Sequence, residues 1–86
     1  MTFDELQFNP HGLGEGKQAT HTFANGYGVS VIITPFSYGG LESRYELAVI
    51  KNKVLCYSTS ITDDVIGHLT PLEVTKLLIC VEALPA

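Results

Sequence analysis

An α+β fold, an antiparallel meander of three or four strands with a C-terminal helix packed on one face, follows from three features of the sequence. The middle of the chain alternates apolar and polar residues with a period of two, the connections between these runs are short, and Thr70-Pro71-Leu72-Glu73 opens a helix that runs nearly to the last residue. The chain has 86 residues and a mass of 9.3 kDa, room for one domain with one small core. That size excludes multi-domain enzymes, barrels and full nucleotide-binding folds.

Residues 1–18 read as an N-terminal arm or loop. Phe3, Leu6 and Phe8 are apolar, but Asn9-Pro10 and His11-Gly12-Leu13-Gly14-Glu15-Gly16 interrupt any regular element. Proline lacks an N–H donor and glycine loosens the backbone. The single domain then spans 19–86, with the three apolar residues available to tack the arm onto it. Asn25-Gly26 suits the positive φ angles of a tight hairpin turn and separates a strand at Thr20–Phe23 from one at Tyr27–Thr34, which Pro35 ends. In the second strand Tyr27, Val29, Val31 and Ile33 alternate with Gly28, Ser30, Ile32 and Thr34. Phe36 to Ser43, containing Gly39-Gly40, is a loop. Tyr45–Ile50 is the next strand, Lys51-Asn52 the next turn, and Val54–Thr59 pairs back. Thr62-Asp63-Asp64 starts a turn or a single helical turn through Ile66, which Gly67 ends.

The helix is placed at Pro71–Leu84. Thr70 at the N-cap accepts from early backbone amides, Pro71 loses no intrahelical bond, Glu73 reaches back, and Pro85 stops the element. Val74, Leu77, Leu78, Val81 and Leu84 share the face that covers the sheet, whose matching face is Val29, Val31, Ile33, Leu47 and Val49. Leu72, Ile79 and Ala83 fall on nearly the opposite side of the helix. The far side of the sheet carries Ile32, Ala48, Ile50 and Val54. Two apolar surfaces therefore remain once one core is built. Phe3, Leu6 and Phe8 are one cover for them; a homodimer through the back of the helix is the other, since a self-complementary patch suffices.

Chemistry-bearing patterns are sparse. Five Lys+Arg against nine Asp+Glu give a net charge of −4 and no clustered cations, which argues against nucleic-acid binding. The Gly12-x-Gly14-x-Gly16-Lys17 stretch falls short of a phosphate loop. Gln18 follows the lysine where Ser or Thr would hold magnesium, His11 stands where the first glycine is required, and no strand precedes it. His11, His21 and His68 are scattered, neither cysteine has a near Cys or His neighbour, and no metal or other cofactor is expected. Cys56 and Cys80 lie in apolar segments and read as reduced, small hydrophobes. Asp63-Asp64 precedes an apparent helical turn and reads as a cap, not an acid/base pair. Catalysis is not expected. Met1 to Glu5 is acidic, unlike a secretory leader, and no apolar run approaches the ~20 residues that span a bilayer, so the expectation is a cytoplasmic protein with no membrane partner.

Aromatic residues in loops point instead to contacts with a protein. Tyr27, Tyr45 and Tyr57 fit within the sheet, and Lys51 and Lys53 at a hairpin tip read as a solvated turn. Phe36 and Tyr38 lie in a loop beside Arg44, and large amphipathic side chains and arginine favour interfaces. With Leu72, Ile79 and Ala83 they make the candidate partner-binding set.

Phe23-Ala-Asn-Gly-Tyr-Gly-Val-Ser-Val-Ile32, Ser37-Tyr-Gly-Gly40, Tyr45-Glu-Leu-Ala-Val49 and Ile61-Thr-Asp-Asp-Val-Ile-Gly67 resemble the wording of small, functionally uncharacterised bacteriophage and prophage accessory proteins. The resemblance covers about residues 23–84 and leaves the arm outside it. It implies a phage-encoded protein in the cytoplasm of an infected bacterium, acting on a host or defence protein, and carries no catalytic residue. The expected function is a non-enzymatic protein-binding module that modulates or inhibits its partner by occupying a surface. The alternative is a small-molecule or nucleotide-binding protein that sequesters its ligand between subunits with the glycine-rich and tyrosine loops; a structural virion component is a third.

Overall fold

The computed structural model describes residues 1–10, 16–35, 37, 43–52, 54–56, 59, 61 and 65–85. These form an α+β fold with the elements β1 (Asn9–Pro10), β2 (Lys17–Thr22), β3 (Tyr27–Ile33), β4 (Tyr45–Lys51), β5 (Val54–Leu55), β6 (Ile66–Leu69) and α1 (Pro71–Glu82). The sheet has six strands in the order β1-β2-β3-β4-β5, with β6 on β4 as well, and every pairing is antiparallel. β5 meets the Ile50–Lys51 end of β4 and β6 meets the Tyr45–Leu47 end, so two short strands share that edge.

The sheet is larger than the three or four strands expected because β1 and β6 come from segments read as arm and as helical turn. In β6, Gly67 continues a strand instead of ending a turn. Tyr45 pairs with Leu69 and Leu47 with Ile66, so two steps along β4 correspond to three along β6. One extra residue is absorbed in a bulge, where His68 takes a φ of 58°. The three-residue spacing of Ile66 and Leu69 therefore looks helical in sequence although the backbone is extended. β5 is shorter than the expected Val54–Thr59, although Cys56 N–H still donates to Val49 O at 2.8 Å. Pairing of Val54 with Lys51 puts Val54 on the helix side of the sheet, and Leu55, opposite Ile50, takes the far-side position expected of Val54.

The core lies between α1 and one sheet face. Val29, Val31, Leu47, Val49, Val74, Leu78 and Val81 are fully buried there, each adding about 1.5–3 kcal/mol relative to exposure. Leu77 and Leu84 pack at its margin. α1 starts as its residues dictate: Glu73 N–H donates to Thr70 Oγ1 (3.2 Å), and Thr70 N–H donates back to Glu73 Oε1 (3.0 Å). It ends at Glu82, short of Leu84, and its last carbonyls are satisfied from the β2–β3 turn. Asn25 Nδ2 donates to the carbonyls of Val81 (2.9 Å), Glu82 (3.1 Å) and Leu84 (2.9 Å), while its Oδ1 accepts from Tyr27 N–H (3.0 Å). Gly26 next to it has a φ of 90°, the conformation that a glycine supplies without strain.

The N-terminal segment is built into the domain. A 3₁₀ turn at Phe3–Glu5 is followed by Leu6, which is 7% exposed and belongs to the core. Phe3 and Phe8 close on Tyr45 with ring centroids 4.9 and 5.7 Å away. Phe3 N–H donates to Thr75 Oγ1 at 2.9 Å, and the Met1 ammonium stands 3.5 Å from Glu82 Oε1. The boundary expected at residue 18 falls inside β2, which begins at Lys17. Phe3, Leu6 and Phe8 thus cover the sheet face beside α1, not either of the outer surfaces.

Candidate interaction surfaces

Alternation along α1 leaves one side of the helix to solvent. Leu72 is 65% and Ile79 55% exposed, and Ala83, the C-cap, is exposed as well. At a rise of 1.5 Å per residue Leu72 and Ile79 stand about 10 Å apart along the axis, nearly in line. Lys76 and Cys80 on the same outer side are also exposed. Cys80 is an exposed thiol, not the small hydrophobe its apolar neighbours suggested, and Cys56 is half-buried.

Arg44 is exposed at the end of the molecule where α1 begins, its Nη1 donating a long hydrogen bond of 3.5 Å to His68 O. Its charge is felt by Glu73. The Thr70 amide, then the Thr70 hydroxyl, then Arg44 and Lys76 hold the Glu73 carboxyl below the ordinary value of 4.5. Of the sequence-predicted set, Leu72, Ile79 and Ala83 share a helix face and Arg44 flanks its N-terminal end. Phe36 and Tyr38 lie outside the described residues, as do Tyr57, Lys53, Asp63, Asp64 and His11. Lys51, expected to be a solvated turn residue, is half-buried: its Nζ sits 4.6 Å from the centre of the Tyr27 ring and 3.4 Å from the Tyr27 hydroxyl.

The far side of the sheet, expected as a second apolar surface, holds a depression that the sequence did not suggest. On the sheet face away from α1, Gln18, Thr20, Thr22, Ser30, Ile50 and Leu55 line an open depression of about 440 Å³. Its origin is the run of small residues at the middle of that face. Gly28 lies between Thr22 and Ile50 in the pairing, and Ser30 lies between Thr20 and Ala48. A side chain at position 28 would strike the carbonyl oxygen of His21, so the gap is fixed by backbone packing. Gln18 Nε2 donates to Ser30 Oγ at 2.9 Å, and none of the described lining residues is charged. The period-two pattern of Gln18, Thr20 and Thr22 was the available signal; placing residue 18 in the arm hid it.

Among the described residues, no group of three or more His, Cys, Asp or Glu is arranged to hold a metal ion. His21 instead stacks edge-on against Phe23 at 4.8 Å. No described helix is long and apolar enough to cross a membrane. No protein-family model matches the chain, and no curated protein or solved structure is significantly similar to it.

Proposed function

We propose that the protein is a non-enzymatic protein-binding module that modulates or inhibits its partner by occupying a surface, with the outer side of α1 as its contact face. The carrying observation is the exposure of Leu72 and Ile79 on a helix whose inner side is already committed to the core. Branched apolar side chains in line on a rigid helix lose little conformational entropy on docking and bury apolar area, while Arg44 and Lys76 supply polar contacts at the rim. The resemblance to phage accessory proteins supports a host or defence protein in the bacterial cytoplasm as the partner. The test compares capture from bacterial lysate by the native protein and by a Leu72→Asp/Ile79→Asp variant of equal thermal stability. The reading requires a specific protein that the native chain retains and the variant loses by more than tenfold. Equal capture by both, or none by either, removes it.

The depression on the opposite sheet face supports a second reading, sequestration of a small molecule. Hydroxyl and amide groups beside Ile50 and Leu55 suit an uncharged ligand. A nucleotide fits the described lining poorly, since none of its residues is a cation that would meet the phosphates. Mass analysis of small molecules released on heating the purified protein separates this reading from the first.

A further inference from the structure

We infer that the free edge of β2 pairs with the same edge of a second copy, joining two sheets across a twofold axis at His21. The inference stands apart from the partner reading above and uses a different surface.

The direction of the backbone groups along β2 follows from the hairpin. Phe23 N–H donates to Tyr27 O at 2.7 Å, so Phe23 points its polar groups toward β3. Alternation then turns those of His21 and Ala19 toward β3 as well, and those of Thr22, Thr20 and Gln18 away from it. Gln18 is met on that side by Asn9 of β1. β1 reaches no further than this, and the outward N–H and C=O groups of Thr20 and Thr22 pair with no described residue. Both threonines are exposed.

Natural sheets guard their edges with lysine, proline, bulges or short strands. The β5/β6 edge carries such devices: two short strands and the bulge at His68. From Ala19 to Thr22 the β2 edge has none; it is regular, and it reads Ala-Thr-His-Thr. The open stretch is bounded by β1 at Gln18 and by the turn that starts at Ala24, so no described strand covers Ala19 to Phe23, and His21 is its midpoint.

This symmetry selects the occupant. An antiparallel pairing of two copies about His21 sets Thr20 opposite Thr22 of the second copy, and Thr22 opposite its Thr20. Both members point their polar groups into the new interface, and each such pair exchanges both N–H···O bonds. The side chains agree as well. Threonine meets threonine on the open face, a favourable cross-strand pair, and Ala19 meets Phe23 on the helix side. His21 faces its own counterpart at the axis, and no Lys, Arg, Asp or Glu is brought opposite a like charge. The contact is short compared with the ~1,200 Å² of a stable complex, so the dimer is weak and forms at high protein concentration.

Light scattering over a concentration series, with amide hydrogen exchange on the same samples, tests the pairing. The mean mass should rise from 9.3 kDa toward twice that at about 1 mM protein. Exchange at the Thr20 and Thr22 amides should slow by about tenfold or more over the same range, while Ala19 and His21 stay protected throughout. Thr20→Pro removes an outward donor without touching the β2–β3 ladder and should give a folded monomer. Thr20→Lys/Thr22→Lys, which sets like charges opposite each other, is the second route to a monomer should the proline fail to fold. Ile79→Asp should leave the dimer intact, so failure of the partner reading and of this one are separable. A native chain that stays monomeric at about 1 mM, concentration-independent exchange at Thr20 and Thr22, or a dimer that Ile79→Asp dissolves and the threonine variants do not, would each overturn the pairing.

Discussion

Asn25 shows how much one side chain can connect. In sequence it is half of a turn dipeptide, and that reading is correct as far as it goes. Its amide also reaches across the fold to the last carbonyls of α1, a role with no local signature because its partners lie 56 to 59 positions away. Asn25→Ala takes the amide donor from all three carbonyls, Val81 O keeping the Leu84 N–H at 3.1 Å, and frees the turn as well. It should lower stability by about 2 kcal/mol, measured as a shift in the urea midpoint with unchanged slope. A shift no larger than that of an exposed-surface substitution would show that water replaces the amide at no cost. Glu73, by contrast, was legible in full, because capping boxes have fixed spacing. Its lowered pKa means that its share of stability is present above the ordinary value of 4.5 and is lost as pH falls through the lowered folded value. Glu5, hydrogen-bonded to the Thr2 amide at 2.8 Å, is shifted in the same direction. The stability gap between the native chain and Glu73→Gln should therefore narrow as pH falls through 4.5 and below it. A gap independent of pH would mean that the carboxylate charge adds nothing to the cap.

Elements with a sustained period were legible and interrupted ones were not. β3, β4 and the start of α1 fall within a residue of their expected positions, since each repeats its pattern over at least two turns or pleats. β6 was missed because its bulge converts a two-residue period into a three-residue one. β1 was missed because two residues, one of them proline, carry no periodic signal at all. The N-terminal segment is the instructive case. Glycine and proline around it suggested a dispensable arm, yet Leu6 is buried with the core and the Phe3 amide is fixed to Thr75. Leu6→Ala should cost about 2–4 kcal/mol in chemical denaturation, as for other core leucines. A cost under about 0.5 kcal/mol would return the segment to the status of a loosely attached arm.

For the molecule as a unit, the helix-covered face of the sheet was predictable and the outer surfaces were not. Burial on one side follows from alternation; what a surface binds does not, because an exposed leucine and an interface leucine look alike in sequence. Ile79→Asp should change the melting temperature little, since surface substitutions usually stay within about 0.5 kcal/mol. Marked unfolding would place Ile79 against the core instead of in solvent.

The guarded edge formed by β5 and β6 bears on how far self-assembly can proceed. A sheet with two regular edges can add copies at both ends, and such head-to-tail growth gives open filaments. Here the Ala19–Thr22 stretch of one edge is regular, and the other edge carries the short strands β5 and β6, bent at His68. Once two β2 strands have met across the axis, both regular edges are consumed, and the outermost strands on either side are the short, bulged ones. Growth terminates at two copies, so concentrated protein should show a mass plateau and no fibrils.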